Sequence, residues 1–214
     1  MSFTVRPFAF MRLTHEALRT GFARLVQLAG VDDVEAVELE YSELKLALEI
    51  HAAQEEAAFF PLLDARFDGA VERAGLRDAH EREQALQDAF EAALSDRDPA
   101  SVRRALADWA PSFEQHLKKE EEVMMPLTQK IAPTLAGRAA AVADILDVDW
   151  EGLKTDHLPY VVRALSTTKP YGPNRMFVAA LQAAAGPRYA ELTPIVSRAM
   201  TATMAAQMRA HGHL

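Results

Sequence analysis

Cysteine is absent from this chain of 214 residues. That excludes disulfides, thiolate nucleophiles, iron–sulfur clusters and cysteine-based zinc sites. Glycine is scarce, at nine residues, and aromatics make up only 7%. Alternation of apolar and polar residues, the signature of a half-buried strand, persists nowhere. The helix formers Ala, Leu, Glu, Arg and Gln dominate instead, so an all-α protein is expected. No apolar run approaches the roughly 20 residues that a bilayer span needs. The opening stretch, MSFTVRPFAFMRLTHEALR, lacks the basic-then-apolar layout of a secretory signal, and a cytoplasmic location is expected. Positive charge is also in short supply, with a net charge of −8. The deficit lies in residues 1–136, which carry 15 Lys/Arg against 25 Asp/Glu, whereas residues 137–214 carry 8 against 6. An acidic first segment argues against nucleic acid and anionic membranes as partners. The shift near Gly137 divides the chain into a 1–136 unit and a 137–214 extension.

Four amphipathic segments fill the first unit. The first runs from about Arg6 to Ala29, with Gly30 placed to terminate it. The second starts near Asp32, with Glu35 three residues on as a capping pair, and reaches Phe60, where Pro61 should kink or end it. The third begins after Gly69 or Gly75 and reaches Leu94. The fourth follows Asp98-Pro99, an N-cap with proline at the first helical position, and runs to about Met125. Short links at Gly30–Val31 and Ser95–Asp98 make two antiparallel hairpins, which together give an up-down-up-down four-helix bundle. The extension reads as further helix. One or two short segments cross Gly137–Leu165, with a break near Leu158-Pro159. A loop follows at Ser166–Arg175, then a helix at Met176–Ala185 and another at Tyr189–Ala210, kinked at Pro194. The extension is expected to cover the bundle or to join two subunits as a homodimer.

Four of the seven histidines fall in an arithmetic pattern. His15 to His51 is 36 residues, His80 to His116 is also 36, and the two pairs are offset by 65. The offset carries more than histidine. His51, Glu55, Glu56, Pro61 and Leu62 map onto His116, Glu120, Glu121, Pro126 and Leu127, so one motif is written twice. A period this long fits two helical hairpins related by a pseudo-twofold axis. From His80 to Ser95 is 15 residues and from Ser101 to His116 is 15, so an antiparallel return brings the two histidines level. His51 and Glu55, like His116 and Glu120, are one helical turn apart on a face otherwise lined by Leu44 and Leu48, or by Leu106, Trp109 and Phe113. An isolated buried carboxylate is too costly to keep charged. Two cations, each taking two imidazoles and sharing Glu55 and Glu120, would compensate the charge. The alternative is a buried polar network without metal. Imidazole with bridging carboxylate suits iron, manganese or zinc. No histidine follows a glutamate by three residues, which disfavours the Glu-x-x-His arrangement of ferritin-like bundles. Glu56 and Glu121 are expected to be surface charges or partners of the ligands, Glu16 and Glu81 to face solvent, and Met124 and Met125 to fill core. His157, His211 and His213 are expected to be solvated.

His15, His51-x3-Glu55, His80 and His116-x3-Glu120, with segments such as HLKKEEEVMMPL, resemble the hemerythrin-like (HHE cation-binding) family over roughly residues 8–135. The resemblance implies a four-helix bundle with a non-haem di-iron centre, oxo- or hydroxo-bridged, with manganese or zinc as less favoured cations. His15 and His51 would bind one iron, His80 and His116 the other, and Glu55 and Glu120 would bridge. Oxygen-carrying members have a further histidine where this chain has Gln84, and an Asp five residues after the histidine where it has Glu120 at four. The second iron therefore lacks a third nitrogen unless Glu83 or Gln84 fills the place. The pattern is closer to the branch linked to peroxide, nitric oxide or iron handling, and so to oxidative stress. The implied function is a di-iron protein that binds or reduces O2, H2O2 or NO, with catalase- or peroxidase-like turnover as one form. The alternative is an iron, oxygen or redox sensor signalling through the extension. The implied partner is a small diatomic or peroxide.

Overall fold

A computed structural model describes residues 4–214, and among them no strand occurs. The first hairpin pairs α1 (Ala9–Ala29) with α2 (Val34–Gln54). Its turn differs from the expected one. Asp33, not Asp32, is the N-cap, accepting from the Ala36 N–H at 3.0 Å. Asp32 takes the left-handed conformation (φ 60°), whereas Gly30 stays right-handed (φ −66°). A short polar side chain thus reverses the chain where glycine was expected to. Two short helices, α3 (Phe60–Asp64) and α4 (Ala70–Ala74), link the hairpins, and Gly69 and Gly75 bound α4 at φ 63° each. The second hairpin pairs α5 (Leu76–Ser95) with α6 (Pro99–Lys119), and the Asp98 carboxylate accepts from the Ala100 and Ser101 N–H groups as its sequence implies.

Pro61 does not end the second helix. Proline has no N–H to give to the carbonyl four residues back, and here one turn widens instead. Residues Glu55–Phe59 form a π-turn in which the Phe60 N–H reaches the Glu55 carbonyl. The same device recurs at Glu120–Met124 before Met125-Pro126, and at Leu153–His157 before Leu158-Pro159. Pro111 and Pro194 lie inside α-helices without it, so proline permits the widened turn but does not dictate it.

The remaining helices are α7 (Met125–Ile131), α8 (Leu135–Leu146), α9 (Trp150–Gly152), α10 (Leu158–Thr168), α11 (Tyr171–Ala185), α12 (Tyr189–Ala199) and α13 (Ala202–Ala210). Three expectations need correction. Leu158-Pro159 is a π-turn running into a helix, not a break. The predicted loop at Ser166–Arg175 contracts to Lys169-Pro170, because the buried Asn174 amide donates to the carbonyls of Leu165, Lys169 and Pro170 and closes a tight corner. The last helix breaks at Met200 (ψ 154°), with Thr201 capping Met204, rather than kinking at Pro194.

The extension covers one face of the bundle. α10 and α11 lie on α1, and the third π-turn lies on α2. The Tyr160 ring slots over Gly21, where a Cβ would collide with its hydroxyl and sit 3.0 Å from Leu44 Cδ1. Leu153, Leu158, Val161 and Leu165 are fully buried, at roughly 1.5–3 kcal/mol of apolar burial each. Midway along α6 Trp109 fills the bundle interior, edge-on to Phe22 of α1 (4.8 Å) and close to Phe90 of α5 (5.5 Å).

Candidate metal centre

Each of the four long helices contributes one histidine to the middle of the bundle, and the first residue of each of the first two π-turns contributes a glutamate. His15 comes from α1, His51 from α2, His80 from α5 and His116 from α6, with Glu55 and Glu120 opening the turns. The hairpins bring their histidines level, as the residue counts required: the His15 and His51 rings are 5.1 Å apart and the His80 and His116 rings 4.8 Å. Donor atoms of His15, His51, Glu55 and Glu120 lie within 4.8 Å of one another, and so do those of Glu55, His80, His116 and Glu120. The two groups share both glutamates. Glu55 Oε1 is 3.3 Å from His51 Nε2 and 3.9 Å from His15 Nε2, while its Oε2 is 3.3 Å from His80 Nε2. Glu120 lies 3.2 Å from His116 Nε2 and 3.4 Å from His15 Nε2.

The donor set fits a cation better than it fits itself. The Nε2 atoms of all four histidines and all four oxygens of Glu55 and Glu120 are buried without a hydrogen-bond partner. Eight such atoms converging on one spot contradict the rule that buried polar groups are satisfied, unless a further group belongs there. The protonation preferences conflict in the same way. Burial pushes His51 down to about 3. Burial and the charge of Glu55 raise Glu120, whereas Glu55, despite its burial, is held low by His51, His15 and His80. Opposed shifts among touching groups mark a site built for a bound charge.

The outward nitrogens show how two of the rings are held. His15 Nδ1 lies 3.1 Å from Glu121 Oε1, and His80 Nδ1 lies 2.7 Å from Glu56 Oε1. The bracing crosses between the repeats: the glutamate of each π-turn holds the histidine of the other hairpin. Arg19 clamps Glu121 at 2.7 Å, and Arg77 approaches Glu56 at 3.4 Å. Burial would push the Glu121 carboxyl up, but His15 and Arg19 prevail and hold it at about 2. Burial would likewise lower His15 and His80, yet Glu121 and Glu55, respectively, lift each to about 9. Glu56 and Glu121 are thus hydrogen-bond partners of two of the candidate ligand histidines, one of the two roles expected of them.

Other expectations fare differently. Glu83 stays out of the cluster, because its carboxylate accepts from Trp109 Nε1 at 2.8 Å and Ser112 Oγ at 2.7 Å. Gln84 is exposed and donates to Asp88. Both line a cavity of about 270 Å³ that also touches Glu49, Gln87 and Phe113 and reaches His51, Glu55, His80 and His116. Glu16 is half-buried and ion-paired with Lys169 of the extension at 2.7 Å rather than facing solvent. His211 is exposed and His213 partly so, near Arg175, but His157 is fully buried with neither ring nitrogen partnered. Histidine count alone gave no sign of this. Leu158-Pro159, which repeats the Phe60-Pro61 and Met125-Pro126 steps, was the available signal.

The family model described as "Hemerythrin HHE cation binding domain" matches residues 6–128. That span is more than half of the chain, and the chain belongs to this family. No curated protein and no solved structure matches it.

Proposed function

We propose that this member of the hemerythrin family is a di-iron protein that binds or reduces O2, H2O2 or NO between its paired histidines. The observation that carries the reading is the double donor set: two groups of four residues sharing Glu55 and Glu120, with every inward nitrogen and oxygen otherwise unpartnered. Iron held there would supply one-electron exchange between ferrous and ferric states to a small ligand. The chain's own residues would shape the rest. His15 is enclosed and braced by Glu121, which fixes one end of the centre. The His80 end meets the cavity, whose volume admits a small molecule and whose Glu49 and Glu56 disfavour anions. Leu48, Trp109 and Phe113 give that cavity an apolar wall. The stacked Phe60 ring, 5.2 Å from His80, limits the movement of that imidazole. Anaerobic titration with Fe(II) should give two ions per chain, and air should then bring up near-ultraviolet oxo-to-iron absorption. Glu55→Ala should lose both signals, and a variant indistinguishable from wild type would defeat the proposal.

A second reading, redox or iron sensing, has one observation in its favour: the extension's π-turn lies against α2, the helix that carries His51. It predicts that iron loading changes hydrogen exchange across residues 153–168, with negligible turnover of peroxide.

A further inference from the structure

The metal centre of the bundle has a neighbour that the twofold repeat does not supply. His157 belongs to the extension, is 0% exposed, and offers two ring nitrogens with no hydrogen-bond partner. Its π-turn lies on α2, where Gly152 comes so close that a Cβ there would sit 3.1 Å from Ile50 Cδ1, on the residue preceding His51. On the other side its ring lies 6.0 Å from Phe10 of α1, and Thr14 is one helical turn further along the same stripe. Thr14 Oγ1 is buried and unpartnered, and so are both amide atoms of Gln54 and the Nδ1 atom of His51. Thr14 adjoins His15 in the chain, and Gln54 adjoins Glu55. Burial alone holds His157 down near 4, so it is a neutral imidazole that can donate from one nitrogen and accept at the other.

The four histidines are not held alike. His15 and His80 each have a carboxylate on Nδ1, whereas His51 and His116 have none, and of these two it is His51 whose helix packs against the π-turn that carries His157. A metal-bound histidine ordinarily donates its remaining N–H to an acceptor that fixes the ring. Buried polar groups left over on one side of a site are commonly joined by ordered water, each molecule making about three hydrogen bonds. A carboxylate would be a poor choice here, because the first cation already has Glu55, Glu120 and Glu121 around it.

We propose that His157 is a positioning residue of the metal centre: with Thr14 and Gln54 it forms a neutral hydrogen-bonding enclosure that, through ordered water, accepts the hydrogen bond donated by His51 Nδ1–H and orients that imidazole. The inference rests on the metal reading above, and it makes the extension a structural part of the site. Its function is to hold the His15–His51 end without adding negative charge.

The test uses the full chain titrated with Zn(II), which is diamagnetic, so that nitrogen NMR can follow the histidine tautomers. Wild type should bind two ions and show His51 protonated at Nδ1 and metal-bound at Nε2. His157→Phe keeps a ring of similar bulk. It should weaken binding of one ion by about 10–100-fold and speed exchange of the His51 Nδ1 proton, while the metal-free chain unfolds at or above the wild-type temperature. His157→Gln, which keeps a donor and an acceptor, should recover most of the affinity. Thr14→Val, which removes only the hydroxyl, should shift the same His51 signals should the larger variant fail to fold. If wild type binds no metal, the metal reading itself fails. If wild type binds two ions and both His157→Phe and Thr14→Val match its affinity and His51 spectrum, the positioning role is overturned. Destabilisation without change in the His51 signals would also overturn it.

Discussion

The two hairpins repeat one histidine–glutamate motif, yet the structure treats them differently. The α1–α2 half lies beneath the extension, with His15 fully buried and Tyr160 wedged over Gly21. The α5–α6 half has no such cover: the His80 side chain is 15% exposed, and the cavity runs between this half and α2, touching His51, Glu55, His80 and His116. Of the four histidines in a duplicated donor set, His15 is thus closed off and the other three border a cavity, by what is packed around them. Repeat arithmetic cannot foresee this, because the difference lies outside the repeat. On the proposed reading, six residues would hold the cations, while the extension and small residues such as Ala52 and Ala53 at the cavity would decide where a ligand can reach them.

The comparison can be broken or sharpened in order of expected effect. Glu55→Ala removes a donor common to both halves, so metal content should fall from two ions per chain to none, measured by elemental analysis after gel filtration. Ala53→Phe, on α2, narrows the cavity shared by His51, Glu55, His80 and His116. Two ions should remain bound while the rate of reaction with peroxide falls by about tenfold or more, followed by stopped-flow absorbance. Equal rates would show that the cavity is not the route. Glu121→Gln and Glu56→Gln remove the crossed braces, one from each half. Each should weaken metal affinity by about 10-fold, as partners of ligand histidines do, measured by competition with a chelator. Gly21→Ala attacks the cover of the closed half. Overpacking against Tyr160 should destabilise the chain by about 1–3 kcal/mol in denaturant unfolding, and Tyr160→Phe in the same chain should relieve it.

The smallest effect concerns the link between the halves. Glu91 of α5 accepts from Lys45 and Tyr41 of α2. Burial would raise its carboxyl, but the hydrogen bonds from Lys45 and Tyr41 prevail and lower it. The folded state thus releases this proton more readily than the unfolded chain. The contribution to stability is present above the ordinary carboxylate range and lost as pH falls through it. Glu91→Gln should flatten the acid limb of the stability curve, with a change of about 0–1 kcal/mol at neutral pH, since the group is partly exposed and screened by solvent.

Much of the centre was legible because it is written twice. His15, His51, His80 and His116 announced themselves by equal spacing, and antiparallel hairpins of matched length left little freedom in where they could meet. Glu55 and Glu120 followed from helical periodicity. What was not legible depends on tertiary context. Glu56 and Glu121 look like surface charges along their own helices, and only the neighbouring helix shows that each reaches the other repeat's histidine. His157 has no counterpart at the 65-residue offset and acquires its burial by docking. Asp33 displaced Asp32 as N-cap because Asp32 was needed for the left-handed turn. The corner at Lys169-Pro170 could not be read locally, since a single asparagine four residues beyond Pro170 closes it.

Anomalous diffraction at the iron edge, from crystals of the full chain loaded with Fe(II) and exposed to air, tests the central claim most directly. The account predicts two peaks, one between the imidazoles of His15 and His51 and one between those of His80 and His116, each within bonding distance of both Glu55 and Glu120. A single peak, a pair elsewhere, or none with the six side chains still converged would contradict it.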